Sequence, residues 1–254
     1  MAAGELTMAY SGPFNRRCVL CGARPTGLVE VSLHGEIACI GHVISGRCVF
    51  CNRPHAEAHP SGWRQFAGPR LRCPTCSKGA VEIQQQARRR LPIIRQEMVA
   101  IGVSLPNRVL VRLVDPDQLD PSAAVPSAQG VLLGVTEHLL RGNQSPEVVE
   151  IRIARGQPPL QFGCAVAHEI GHAWLTQHGS RRPEPDIEEG LCELFAHGWL
   201  KKQRTPFADE LRRRIRENPD PMYGEGFRKV HAAAMQYGVA SVMGSLAHHG
   251  RLPI

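Results

Sequence analysis

The sequence has few aromatic residues and no long apolar run. Aromatic residues make up 5% of the 254 residues, whereas single-stranded nucleic acid is bound by stacking its bases on aromatic side chains. No apolar run reaches the ~18 residues that a membrane-spanning helix needs. The N-terminus, Met1 to Arg17, is polar and unlike a secretion signal. These absences argue against nucleic-acid and membrane partners and predict a cytoplasmic protein.

The remaining composition is that of a globular protein. Hydrophobic residues make up 43% and charged residues 21% of the chain, which is enough apolar surface to bury a core. The formal net charge of +7 lies entirely in residues 1–103, which carry 13 Lys and Arg against 6 Asp and Glu. If the seven cysteines of this part bind two zinc ions as thiolates, the excess falls to about +4. A basic surface for nucleic acid is therefore not indicated.

Seven of the nine cysteines lie between Cys18 and Cys76, where disulfides are not expected in a cytoplasmic protein. Eight residues form four closely spaced pairs, and eight such ligands suit two closed tetrahedral zinc sites. The pairs are Cys18/Cys21, Cys39/His42, Cys48/Cys51 and Cys73/Cys76. Sequential use of the pairs, as in a LIM domain, is favoured over an interleaved, RING-type arrangement. Three further histidines, His34, His55 and His59, are interpreted as solvent-facing.

Residues 168–172 read His-Glu-Ile-Gly-His, the His-Glu-x-x-His motif of zinc peptidases. On a helix, residues four apart share a face, so His168 and His172 can reach one metal ion. Glu169 can then take a proton from a water that the metal activates. The flanking residues are apolar on nearly every face, which predicts a buried helix whose polar side chains need partners. Cys164 and Cys192, in the helices around the motif, are interpreted as buried structural cysteines.

A catalytic zinc site commonly has a third protein ligand, which here is expected on the following helix. Glu189 is the predicted ligand, and Glu193, one turn later, is predicted to support a ligand histidine from the second coordination shell. Glu188 is rotated by about 100° from Glu189 on a helix, so the two cannot both face the metal. The alternative is a capping box formed by Asp186 and Glu189 at the helix start.

The predicted organisation is an α+β chain in four parts. Residues 1–16 are expected to be a flexible tail, 17–78 a LIM-like double zinc-binding domain, 79–103 a connecting helix interrupted or kinked at Pro92, and 104–254 a zincin-like metallopeptidase domain. Within the last part, the residue pattern predicts a small antiparallel sheet and a mostly helical C-terminal portion. The predicted strands are Arg108–Val114, Gly130–Thr136 and Val148–Ile153.

Together these motifs resemble a known family, the plant LIM-domain peptidases that are activated by ubiquitin and restrict organ growth. The resemblance rests on HEIGHAWL at 168–175, IEEGLCELFAHGWL at 187–200 and PMYGEGFR at 221–228, and it continues back through the zinc-ligand pairs. It implies a gluzincin-like zinc peptidase with His168 and His172 as ligands and Glu169 as the base. Residues 1–16 contain no ubiquitin-interacting motif, so activation by ubiquitin is not expected for this chain. The chain is interpreted as a compact, bacterial relative.

The leading hypothesis is a zinc-dependent endopeptidase that holds one catalytic and two structural zinc ions. Its zinc-binding half would recruit a protein substrate or partner, and the strand Val148–Ile153 could pair with an extended substrate. Tyr223 or His231 is predicted to stabilise the oxyanion, because the tetrahedral intermediate needs a hydrogen-bond donor opposite the metal. The alternative is a latent or inactive peptidase fold that acts as an adaptor through its zinc-binding domain.

Overall fold

The computed structural model describes residues 16–56, 62–119, 131–139 and 147–253. Most of the predicted tail, His59 and part of the predicted strand Gly130–Thr136 lie outside these ranges. The chain is α+β. Its N-terminal part contains three two-stranded antiparallel sheets, and its C-terminal part contains one three-stranded sheet and most of the helices. Within the described residues, no helix has both the length and the apolar composition of a membrane span.

The N-terminal part is built from short strands and one short helix. Each strand pairs with the next one along the chain. A single turn of helix, α1 (Pro74–Ser77), follows the strands and carries Cys76. The strands are β1 (Val29–Val31), β2 (Ile37–Cys39), β3 (Gly46–Arg47), β4 (Pro54–His55), β5 (Arg64–Ala67) and β6 (Arg70–Arg72). Such short strands bury little apolar area, so this part of the chain needs other sources of stability.

A long helix, α2 (Gln84–Val99), connects this part to the sheet. Its buried side chains are Ala87, Leu91, Ile94 and Met98. They are three or four residues apart, so they form one apolar stripe along the helix. The expected interruption at Pro92 does not divide the helix, because α2 continues across the proline. A proline removes one backbone hydrogen bond, and the buried stripe on both sides of it holds the helix together.

The three-stranded sheet has the order β7–β9–β8 and is mixed. Its strands are β7 (Leu110–Val114), β8 (Gly134–Leu139) and β9 (Glu147–Ala154), and a short helix, α3 (Pro116–Leu119), follows β7. β9 pairs with β7 in parallel and with β8 antiparallel. The expected antiparallel sheet is therefore confirmed for the β8–β9 pair and wrong for β7. β9 is the central strand, and both of its edges are occupied. The predicted substrate-pairing role of Val148–Ile153 is therefore wrong. Among the described residues, β8 instead pairs on one side only.

Five helices follow the sheet, and the first of them, α4 (Pro159–His178), lies at the centre of the core. The others are α5 (Pro185–Gln203), α6 (Pro206–Glu217), α7 (Gly226–Tyr237) and α8 (Val239–His249), with a π-helical turn at Pro221–Glu225 before α7. α4 packs against α5 on one side and against β8 and β9 on the other. The helix that carries the His-Glu-x-x-His motif is thus covered by helix and sheet.

Gly163 lets α4 and α5 approach closely at the end remote from the histidines. A Cβ atom at Gly163 would lie 2.2 Å from Cη2 of Trp199, whose indole N–H donates to Glu97 on α2. We expect Gly163→Ala to lower the free energy of unfolding by about 1–3 kcal/mol, the usual cost of overpacking a core. Urea unfolding of the zinc-loaded protein measures this change.

Gly244 is the matched control for this substitution. It lies inside α8, and among the described residues no atom other than those of its chain neighbours and its own helix backbone comes within 4 Å of a Cβ added there. Alanine in a helix interior without a clash should raise the free energy of unfolding by roughly 0.5–1 kcal/mol relative to glycine. A Gly163→Ala variant that is as stable as Gly244→Ala would contradict the packing argument.

Candidate metal centre

His168 and His172 lie one turn apart on α4, and their rings are 5.2 Å apart between centroids. The first turns of α5 bring Glu189 opposite them. Oε2 of Glu189 lies 3.2 Å from Nε2 of His168 and 3.6 Å from Nε2 of His172. Two imidazole nitrogens and one carboxylate oxygen therefore converge on one point. This donor set matches the chemistry of zinc, which binds neutral imidazole and carboxylate.

The alternative role of Glu189 in a capping box is not observed. The N-cap residue of α5 is Glu184, which makes no side-chain capping bond. Asp186 accepts instead from Lys229 of α7, at 2.9 Å. The side chain of Glu189 is thus free to point at the histidines.

Each imidazole also has a carboxylate at its other nitrogen. Oε1 of Glu193 lies 3.5 Å from Nδ1 of His168, where the sequence places a supporting carboxylate. Glu188, by contrast, accepts from Nδ1 of His172 at 3.0 Å, and Arg182 donates to the second oxygen of Glu188 at 2.8 Å. Sequence reasoning missed this contact of Glu188. A carboxylate partner at Nδ1 fixes the ring orientation and directs Nε2 toward a metal.

The carboxylates make this site strongly attractive to cations. Burial alone would lower the pKa of His168, but its contacts with Glu189 and Glu193 raise that pKa well above the usual value. Burial would likewise raise the pKa of Glu188 and of Glu189, yet their histidine partners lower both to about 2. Charge pairs of this kind persist in the interior only where a proton or a metal ion balances the carboxylates.

Glu169 is buried beside the histidines and is held by the sheet. Thr136 of β8 donates to Oε2 of Glu169 at 2.7 Å and to its backbone carbonyl at 3.1 Å. A Cβ atom at Gly134 would lie 2.8 Å from Oε1 of Glu169, so only glycine leaves room for this carboxylate next to β8. Nothing local in the sequence indicates the contact with Thr136, which joins residues far apart along the chain.

The two residues predicted for oxyanion stabilisation occupy different surroundings. Tyr223 lies in the π-helical turn with its ring 6.3 Å from that of His168, and burial together with nearby Glu189 raises the pKa of its phenol to about 12. His231 packs against Phe227 and His197, with ring centroids 5.2 and 5.8 Å away. Among the described residues, we find no ring contact between His231 and the motif histidines.

Cys192 of α5 belongs to this centre, although the sequence suggests only a structural role. Its Sγ and one nitrogen each from His168 and His172 all lie within 4.8 Å of one another. Cys164, the other cysteine of this half, is not part of that group. The position of Cys192 three residues after Glu189 is the signal that could have placed it on the same helix face.

The remaining cysteines form two further groups of metal donors. The structure brings the pairs together in sequence, as in a LIM domain, and not in an interleaved arrangement. The groups are Cys18/Cys21/Cys39/His42 and Cys48/Cys51/Cys73/Cys76. Backbone N–H groups point at the sulfurs, for example from Leu20 and Cys39 toward Cys18 at 3.3 and 3.4 Å. Such bonds stabilise thiolates, so these clusters are suited to zinc.

His34 is not solvent-facing as predicted. Its Nε2 lies 3.2 Å from Sγ of Cys76, and its ring packs against Phe207 of α6 at 4.8 Å. An imidazole N–H there can donate to a cysteine thiolate of the second group. This histidine thus links the cysteine-rich part to a helix of the other half.

The fold and these sites define an α+β protein with two LIM-type, cysteine-rich zinc-binding clusters and a third donor group on a His-Glu-x-x-His helix. A protein-family model described as "DA1-like: Protein DA1" matches residues 92–213. That match covers the motif helix, Glu189 and Cys192 and leaves out the cysteine clusters.

Individual relatives agree with the family match. Protein DA1 of Arabidopsis thaliana is 30% identical over 42% of this chain and 26% of its own length. Protein DA1-related 1 of the same plant is 22% identical over 97% of this chain and 57% of its own length. The LIM domain-containing protein HDR3 of rice (Oryza sativa subsp. japonica) is 21% identical over 98% of this chain and 66% of its own length.

The resemblance predicted from the motifs is confirmed: the chain is similar to the DA1 family. It spans 26% to 66% of the length of these three plant relatives. A bacterial origin stays a prediction. No solved structure matches the chain.

Proposed function

We propose that this protein is a zinc-dependent endopeptidase that cleaves protein substrates. The observation that carries the proposal is the convergence of Nε2 of His168 and Nε2 of His172 on one oxygen of Glu189, with buried Glu169 beside them. His168, His172 and Glu189 would hold the catalytic zinc. The gluzincin-like class of the site is part of this proposal.

Bound zinc would supply a Lewis acid that polarises the scissile carbonyl and lowers the pKa of a water. Glu169 accepts the proton of the attacking water and passes it to the leaving amine. The hydroxyl of Thr136 holds one oxygen of Glu169, which leaves the other oxygen for the proton. Glu188 and Glu193 orient the two imidazoles through Nδ1.

β8 is the element proposed to align an extended substrate. In the part of the chain that the structure describes, β8 pairs on one side only. Its Thr136 donates to the catalytic carboxylate, and its Gly134 leaves room for that carboxylate. A peptide added to this edge by main-chain hydrogen bonds would pass next to Glu169. The two cysteine clusters would hold structural zinc and form a module that recruits the substrate or a protein partner.

Tyr223 is proposed as the donor to the oxyanion, in preference to His231. The start of α7 comes so close to α5 that the turn containing Tyr223 lies over the site. A Cβ atom added at Gly190 of α5 would lie 2.3 Å from the carbonyl oxygen of Gly226. A phenol whose pKa is raised to about 12 stays protonated and can donate. We expect Tyr223→Phe to lower kcat by about 10²-fold with zinc retained. Unchanged kcat would exclude this role, and His231→Ala is the comparison variant.

Digestion of a peptide library tests the proposed function. The zinc-loaded protein should cleave peptides, and a chelator should abolish cleavage until zinc is restored. Elemental analysis should give three zinc ions per chain, one for each donor group. A protein that retains zinc and cleaves nothing would favour the adaptor alternative. Only two zinc ions per folded chain would exclude the catalytic site.

A further inference from the structure

Cys192 forms one group of possible metal donors with His168 and His172. It is fully buried on α5, one turn after Glu189, so the carboxylate and the sulfur share one face of the helix. Its sulfur lies within 4.8 Å of donor nitrogens of both motif histidines. Neither the proposed hydrolysis nor the helix packing requires a sulfur atom at this point.

Gly171, in the middle of the motif, fixes this position. A Cβ atom there would lie 2.7 Å from Sγ of Cys192 and 2.9 Å from its Cα. The backbone of α4 at Gly171, between the two histidines, therefore lies directly against Cys192 of α5. Because Cys192 is 0% exposed and Gly171 lies against it, the sulfur stays next to the imidazoles.

We propose that Cys192 is a further protein ligand of this zinc site, beside His168, His172 and Glu189. The inference rests on the proposed function, because it assigns zinc to the same centre. Four protein donors would fill a tetrahedron, so water would enter as a fifth ligand. A thiolate also selects zinc and cadmium over magnesium, calcium and manganese.

Cadmium-113 NMR of the fully substituted protein tests this assignment, since the chemical shift reports how many sulfur ligands each ion has. We expect three resonances, two from the cysteine clusters and one shifted by a single sulfur. Cys192→Ser and Cys192→Ala should move the third resonance into the range of nitrogen and oxygen ligands. Cys164→Ser, a cysteine on the neighbouring helix outside the donor group, should leave all three unchanged.

Zinc competition with a chromophoric chelator gives a second readout. Loss of one ligand should weaken zinc at this site by at least about tenfold, since even loss of a second-shell partner costs 10- to 100-fold. Unchanged resonances of the two clusters show that each variant is folded. A third resonance already in the nitrogen and oxygen range in the unaltered protein would overturn the role of Cys192 and leave the proposed function intact. Absence of a third resonance would overturn both.

Discussion

Replacing Glu169 by glutamine is expected to abolish measurable hydrolysis while zinc stays bound. The amide keeps the size of the carboxylate and can still accept from Thr136, but it cannot take a proton from water. Loss of a general base costs on the order of 10²- to 10⁴-fold. Steady-state cleavage of a peptide found in the library digestion, together with zinc analysis of the same sample, measures the effect.

Thr136→Val is the matched control for this prediction. Valine has nearly the shape of threonine and removes only the hydroxyl that holds Oε2 of Glu169. The carboxylate is then less well oriented but remains a base, so the loss of kcat should be clearly smaller than for Glu169→Gln. If Glu169→Gln hydrolyses peptides like the unaltered protein with zinc retained, another residue is the base.

Replacing Glu189 by alanine is expected to remove zinc from the site on α4 and α5 while both cysteine clusters keep theirs. Glu189 is the one carboxylate that faces Nε2 of both histidines. Without it, the site loses a donor and the negative charge that faces both Nε2 atoms, so the ion should be lost to a chelator. Zinc per chain after dialysis against a chelator should fall by one third relative to the unaltered protein.

Glu193→Ala and Glu188→Ala are the controls, because each faces the Nδ1 nitrogen of one histidine. Both variants should keep the metal but bind it roughly 10- to 100-fold more weakly. Glu188→Ala also leaves the guanidinium of Arg182 without its carboxylate. If Glu193→Ala lost the zinc and Glu189→Ala kept it, the ligand assignment would be reversed.

The local parts of this architecture could be predicted from the sequence. The His168/His172 pair is set by the four-residue period of a helix, and both residues lie on α4. The close pairs of cysteine and histidine need only a tight turn to bring two ligands together. They can therefore be recognised as metal ligands from the sequence, before the fold is known. The stripe on α2 is likewise a property of one helix. Each of these features depends on neighbours a few residues apart.

The order of the strands was decided only by tertiary structure. Periodicity can indicate a strand, but it carries no information about which strand lies between which others. The crossover from β7 to β9 is parallel, and it puts β9 in the centre with β8 outside it. The strand beside Glu169 is therefore β8, which the sequence alone could not show.

The surroundings of the metal donors were also decided by the tertiary structure. Thr136 reaches Glu169 across 33 positions of sequence, and Glu188 reaches His172 across 16. Cys192 joins the histidines because Gly171 allows two helices to touch. The sequence by itself determined which residues could bind a metal, since that depends on side-chain chemistry and helical spacing. Which of them meet, and in what geometry, was decided by the packing of α4 between α5 and the sheet, because that packing sets every distance between elements.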